Sequence, residues 1–229
     1  MLAAAVALAD RDGLDALTMR RLAQDLEVEA MSLYHHVANK EALLDGVVEV
    51  VVEEIVAATD VAGGPATGDD WRAGLRARIL SAREVLLRHP WAPRVLETRT
   101  TLSPAVIGYY DGVLGILRAG GFSYDLAHHA LHVLGSRTLG FVQELFEPDD
   151  PAGADADVTA MLEQLGGRFP HIVGMMAEVA HATEGTLGWC DDQFEFEFAL
   201  DLILDGLEAR RVGDRPRSDA PGNLDDRTT

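Results

Sequence analysis

Cysteine is nearly absent from this chain. The one copy, Cys190, excludes an internal disulfide and suits a reducing cytoplasm. Apolar runs are short, and no stretch is long and apolar enough for the roughly 20-residue span that a membrane requires. Met1 to Leu8 is apolar but lacks a basic n-region and a cleavage site. It reads as a first helix and not as a signal peptide. Period-two alternation and glycine-punctuated hairpins are also missing, so the long 3.6-periodic segments predict an all-α class. Positive charge is scarce, with 19 Lys and Arg against 38 Asp and Glu and a formal net charge of −19. The 229 residues suit one or two domains and can bury a sizeable core.

The acidic balance argues at first sight against nucleic acid, whose binders usually carry a basic footprint. Salt confines each charge to about 8–10 Å, however, so the local field counts for more than the sum. One stretch gathers basic groups: Leu17 to Asp45 carries Arg20, Arg21, His35, His36 and Lys40. Asp25, Glu27 and Glu29 lie among them, which predicts weak non-specific affinity and reliance on a matched site.

Periodicity organises the same stretch into three helices. Thr18 is placed to cap the first, whose apolar face is Leu22, Ala23 and Leu26. Glu27-Val28-Glu29 breaks the period. A second short helix runs from about residue 30 to 37, with Leu33 and Val37 inward, and Asn39 caps a third that starts at Lys40. Two short helices joined by a three- or four-residue turn form the helix-turn-helix unit, whose second helix enters the DNA major groove.

Around this unit the rest reads as helices between punctuation. A first helix covers residues 1–10 and stops at Gly13. The helix from Lys40 reaches about Ala58, burying Leu43, Leu44, Val47, Val48, Val51 and Ile55, and residues 59–68 form a loop. A helix starts at Asp69 or Asp70, with Trp71, Leu75, Ile79, Ala82 and Leu86 on one face, and stops at Pro90. Ser103-Pro104 starts another, which ends at Gly120-Gly121. The next, 124–146, is apolar nearly all round. An acidic loop over 147–167 holds a short helix near 158–165, and Phe169-Pro170 begins a helix ending before Gly185. The last helix covers about 189–211. Phe196, Leu200, Ile203 and Leu207 form one stripe on it, and Phe194, Phe198 and Leu202 form a second. Residues 212–229 lack periodicity and read as a disordered tail.

The first of these pieces resembles the TetR family of bacterial transcriptional regulators, in particular its tetracycline-repressor branch. The resemblance rests on Leu17-Thr18, Arg20, Leu22-Ala23, Leu26, Val28-Glu29, Leu33-Tyr34, His36-Val37 and Asn39-Lys40 through Asp45. His89-Pro90-Trp91, residues 119–122, Gly140-Phe141 and Phe196 through Leu207 extend it over most of residues 1–211. It implies an N-terminal helix-turn-helix DNA-binding domain over 1–58, a helical ligand-binding and dimerisation domain over 59–211, and the tail beyond. The implied function is a ligand-responsive repressor, not an enzyme. A homodimer would bind a palindromic operator, and a small apolar inducer, entering among helices 71–88, 104–119 and 124–146, would release it. Helices 124–146 and 189–211 are the candidates for the dimer interface. Family members usually carry a polar, often basic segment before the first helix, and here the sequence starts within a turn of that helix.

The resemblance also assigns roles. Arg20 can reach a guanine, because its fork fits O6 and N7. Ala30, Met31 and Ser32 open the recognition helix, where apolar surface meets thymine methyls and a hydroxyl bonds either base type. Thr18, Tyr34, His36 and Lys40 would clamp phosphates. Glu29 can accept from cytosine N4, and His35 stands where the closest family pattern has tryptophan. No cofactor or metal is carried over. Two other readings compete with the repressor. His128 and His132, four apart beside His129, have a usable metal-ligand spacing for a helical metalloenzyme, although buried or pocket histidines explain them more simply. A small-molecule carrier that has lost DNA binding would suit the acidic charge.

Overall fold

The computed structural model describes residues 1–62, 70–99, 103–140, 167–171, 173–174 and 192–213. Among them every regular element is helical. The order is α1 (Leu2–Asp12), a 3-10 turn (Leu14–Ala16), α2 (Met19–Asp25), α3 (Ala30–Leu33), α4 (Lys40–Ala62), α5 (Trp71–Arg88), α6 (Ala92–Thr98), α7 (Pro104–Ala119), α8 (Tyr124–Gly140) and α9 (Asp192–Gly213). Contacts divide the chain into two units, Met1–Gly140 with Asp201–Thr229, and Phe141–Leu200.

Caps set the helix starts where the sequence places them. The Thr18 hydroxyl accepts from the Arg21 amide at 3.2 Å, Asn39 Oδ1 from Ala42 at 2.8 Å, and Ser103 Oγ from Val106 at 3.3 Å. The stop after α7 is a Schellman turn. Gly121 sits at φ +83° while the Phe122 amide bonds the Leu117 carbonyl at 3.1 Å. Gly120 is required for a different reason, because a Cβ there would lie 2.6 Å from Trp71. That close approach lets Trp71 and Phe122 pack edge to face at 4.7 Å.

Several boundaries differ from expectation. α3 has one turn and does not reach Val37. Its last amides bond i→i−3, His35 to Ser32 and His36 to Leu33, which tightens the exit towards Asn39. α4 runs past Ala58 to Ala62. Thr59 is buried and bonds its hydroxyl back to the Val56 carbonyl at 2.8 Å, so it continues the helix instead of opening a loop. α6 was not anticipated, because Pro90 reads as a stop. Pro93 in its first turn is tolerated there, since that amide has no helical partner. α9 includes Val212 and Gly213, two residues of the expected tail. The rest of that tail, the helix expected near 158–165, most of the acidic loop, the continuation of α8 to 146 and Cys190 lie outside the described residues.

The core explains how the head is held. One cluster extends from Ala5 and Leu8 of α1 through Leu22 and Leu33 to Val47, Val51 and Ile55 of α4, then to Val85 and Trp91. α4 therefore runs from the helix-turn-helix into the body without a break in packing. A polar contact reinforces this junction. His89 is buried, and its Nδ1 lies 2.8 Å from Asp10 of α1 while Nε2 lies 3.0 Å from Glu54 of α4. Trp91 Nε1 donates to the same Asp10 oxygen at 2.7 Å, and Arg88 pairs with Glu54. At the other end of α5, Arg76 bonds Asp201 at 3.0 Å and Arg72 pairs with Asp205, which fixes the C-terminal half of α9.

Candidate nucleic-acid interface and ligand cavity

The turn between α2 and α3 has the four residues Leu26 to Glu29, within the expected length. It is a second Schellman turn. The Val28 amide bonds Ala23 at 3.0 Å and the Glu27 amide bonds Gln24 at 3.1 Å, with Glu27 at φ +56°. A glutamate holding that left-handed position costs on the order of 1 kcal/mol against glycine. Leu22, Ala23 and Leu33 are buried and anchor both helices, leaving the opposite faces in solvent.

Those faces carry the sequence-derived site residues. Thr18, Arg20, Glu29, Met31, Tyr34, His35, His36 and Lys40 are exposed, while Ala30 and Ser32 are half-buried. Met31 is 72% exposed, an unusual setting for an apolar side chain at a helix start, and fits contact with thymine methyls. Ser32 is partly committed. Its hydroxyl donates to the Glu29 carbonyl at 2.6 Å, which leaves its lone pairs to accept from a base amine. Glu29 holds the α3 N-cap position without a side-chain capping bond. Thr18 keeps its capping bond and remains exposed, so capping and a phosphate contact are compatible.

Charge is sorted more finely than the sequence shows. Arg21 pairs with Asp12 and Asp25, and Arg11 holds the same two carboxylates at 3.1 and 2.7 Å. The hydrogen bond from Arg11 holds the Asp12 carboxyl below its ordinary range. Arg21 is thus engaged, and Arg20 has no ion-pair partner among the described residues. Lys40 is the chain's one lysine and sits at the N-terminus of α4. Of the acidic residues expected to spoil the local field, Asp25 is neutralised by Arg11 and Arg21, whereas Glu27 and Glu29 have no ion-pair partner among the described residues.

A cavity of about 560 Å³ lies in the same unit. Its walls come from α5, α7 and α8, the helices expected, but also from α4 and α6. Val48, Val52 and Ile55 of α4 face it, as do Ile79, Leu86, Val113 and Leu134. Polar groups are few: Asp45, Glu49, Glu97, Arg99, Ser103, Tyr109 and Tyr110. Burial pushes the Tyr109 phenol up to about 12, so its hydroxyl stays a donor at all working pH values. Arg99 bonds Glu41 at 2.8 Å and Asp45 at 3.2 Å.

The histidine cluster is elsewhere. His128, His129 and His132 are exposed on α8, which corrects the expectation of buried or pocket histidines. The rings of His128 and His132 meet edge to face at 4.6 Å. No group of three or more His, Cys, Asp or Glu side chains among the described residues is placed to hold a metal ion. Among its described side chains, α8 buries Leu126, Ala127, Ala130 and Leu134 along one face.

A one-turn recognition helix held by a four-residue turn, on a head packed against a helical body with an apolar cavity, defines a helix-turn-helix regulator. The comparisons agree. Residues 1–47 match the model for bacterial regulatory proteins of the tetR family, and residues 64–211 match the tetracyclin repressor-like C-terminal domain. The HTH-type transcriptional repressor DrrR1 of Streptomyces coeruleorubidus is 31% identical over 92% of this chain and 78% of its own length. The tetracycline repressor protein class D of Escherichia coli is 35% identical over 70% of this chain and 74% of its own. The crystal structure of the Streptomyces coelicolor TetR family protein ActR in complex with actinorhodin superposes with a TM-score of 0.69 at 27% identity, covering 92% of this chain and 95% of that one. The chain belongs to the TetR family of transcriptional regulators.

Proposed function

We propose that this regulator is a repressor that binds a palindromic operator as a homodimer and leaves it when a small apolar inducer fills the cavity. The observation that carries this reading is α4. Lys40, at its start, belongs to the candidate phosphate clamp, and Ile55, about 22 Å further along, lines the cavity. A ligand pressing on that wall acts on the element that positions the head. An inducer that binds best to a conformer with the wrong head spacing lowers operator affinity by linkage. Two heads about 34–36 Å apart are needed because one short helix reads few base pairs. The exposed stripe of α9, with α8, supplies the dimer surface.

The domains follow the same reading: a DNA-binding part over 1–58, continued into the ligand-binding and dimerisation part by α4, whose end lies beyond that boundary.

A pair of variants tests the interface on an operator selected from genomic fragments. Arg20→Ala lowers specific binding by about 1–3 kcal/mol and relaxes preference at one base pair per half-site, while non-specific binding changes little. Lys40→Gln weakens binding on all sequences and reduces the salt slope by about one unit. Both are read from titrations on operator and scrambled DNA at several salt concentrations. An equal loss for Arg20→Ala on both DNAs would move Arg20 from base to phosphate. An unchanged slope for Lys40→Gln would remove Lys40 from the clamp.

A further inference from the structure

The ionisable groups of the cavity are unbalanced. Among the described lining residues, Asp45, Glu49 and Glu97 face one cation, Arg99, which already holds Asp45 and Glu41, and the nearby Arg78 is engaged with the Tyr109 carbonyl at 3.4 Å. An anionic ligand would have to take Arg99 from two carboxylates while lying beside the others. Glu49 is different. It is half-buried on α4, and its Oε1 accepts from the Ala105 amide in the first turn of α7 at 3.3 Å. Its Oε2 has no partner among the described residues. A carboxylate facing an apolar space is costly unless paired, so the occupant that improves it brings a positive charge.

The aromatic side chains point the same way. Tyr109 and Tyr110 line the cavity and pack edge to face at 5.9 Å. Arg78 already lies over one face of Tyr109, 4.9 Å from its centre. Aromatic faces attract cations, more strongly where water is excluded. The Tyr109 hydroxyl has no hydrogen-bond partner among the described residues and can donate to a ligand oxygen or nitrogen.

We propose that the cavity selects a flat, apolar aromatic molecule carrying a protonated amine, with Glu49 as its counter-ion; the inference rests on the cavity being the inducer site. The placement also gives the ligand a lever. Glu49 joins α4 to the start of α7, and an ammonium that recruits its carboxylate acts on the helix that carries the head.

Three acridines of one skeleton test the charge preference on the full chain: 9-aminoacridine (cation), 9-methylacridine (neutral) and acridine-9-carboxylate (anion). The titrations follow probe fluorescence in 0.5 M NaCl at pH 7.5. The Debye length is then on the order of 4 Å, so the attraction of any cation to the whole chain's charge of −19 is screened. The expected result is one 9-aminoacridine per chain, bound at least about tenfold tighter than acridine-9-carboxylate. Glu49→Gln keeps an acceptor for Ala105, and should cost the cation at least about fivefold while leaving 9-methylacridine within about twofold. Val113→Trp fills the cavity and should abolish binding of all three probes, with circular dichroism confirming that both variants fold. Equal binding of the anion, or an unaltered cation affinity in Glu49→Gln, overturns the charge selection and leaves the inducer reading standing. Binding that survives Val113→Trp, or no binding of any probe, overturns the cavity as the ligand site and this inference with it.

Discussion

Phe198→Glu should convert the protein to monomers that keep their helix content and lose the palindrome. The reason lies in α9. Phe196, Leu200, Leu204 and Leu207 are buried along one face. Phe194, Phe198 and Leu202 form a second stripe that is 61%, 54% and 57% exposed. Phe194 and Phe198 stack on each other with ring centres 6.4 Å apart, and Leu202 extends the apolar stripe by one further turn. Soluble monomers rarely leave such a patch open, and a twofold-related copy of the same helix covers it in the proposed dimer. A glutamate in the middle of that contact would bury unpaired charge at a cost of several kcal/mol. Because Phe198 is more than half exposed in its own chain and lies outside the buried face of α9, the fold should survive. Palindrome affinity should fall by about 10²–10⁴-fold, the loss expected when two half-site contacts are no longer linked. Light scattering at micromolar concentration, circular dichroism and operator titration read the three quantities. A wild-type chain that is monomeric at that concentration and still binds the palindrome tightly would sink the account.

His89→Ala should have the largest effect on stability. The ring lies between Asp10 and Glu54 with its side chain only 8% exposed, and Trp91 shares the Asp10 oxygen. Removing it leaves two carboxylates that have lost their common partner, as well as a cavity. Both carboxylates keep some access to water, with side chains 29% and 35% exposed, so the penalty is not that of a fully buried charge. A loss of about 2–3 kcal/mol is expected, or about 4–12 °C in the melting midpoint for a chain of this size. Urea and thermal unfolding measure it. A loss below about 1 kcal/mol would show that water satisfies the carboxylates unaided. Asp10→Asn keeps an acceptor for Trp91 and should cost less.

The sequence alone determined the helix-turn-helix and most helix starts, because both are local. Thr18, Asn39 and Ser103 cap within three residues, and the apolar frame Leu22, Ala23, Leu33 needs only 3.6-residue periodicity to be read. The two stripes of α9 were legible for the same reason, apart from a small shift that puts Leu204, not Ile203, at the centre of the buried one. α6 was not legible, since a proline that ends one helix can stand just before the next. The end of α4 depended on whether Thr59 found its bond inside the helix. Only the tertiary structure decided how charge is distributed. Arg21 is tied to acids of α1 and α2 while Arg20 is left to solvent, and sequence proximity gives both arginines the same prospects. It also decided that His128 and His132 face solvent, and that His89, an unassigned member of a motif, bridges α1 and α4 across 79 and 35 residues. Capping and periodicity act within a turn or two of the chain, whereas ion pairs and cavity walls depend on which helices meet, and that is settled by packing.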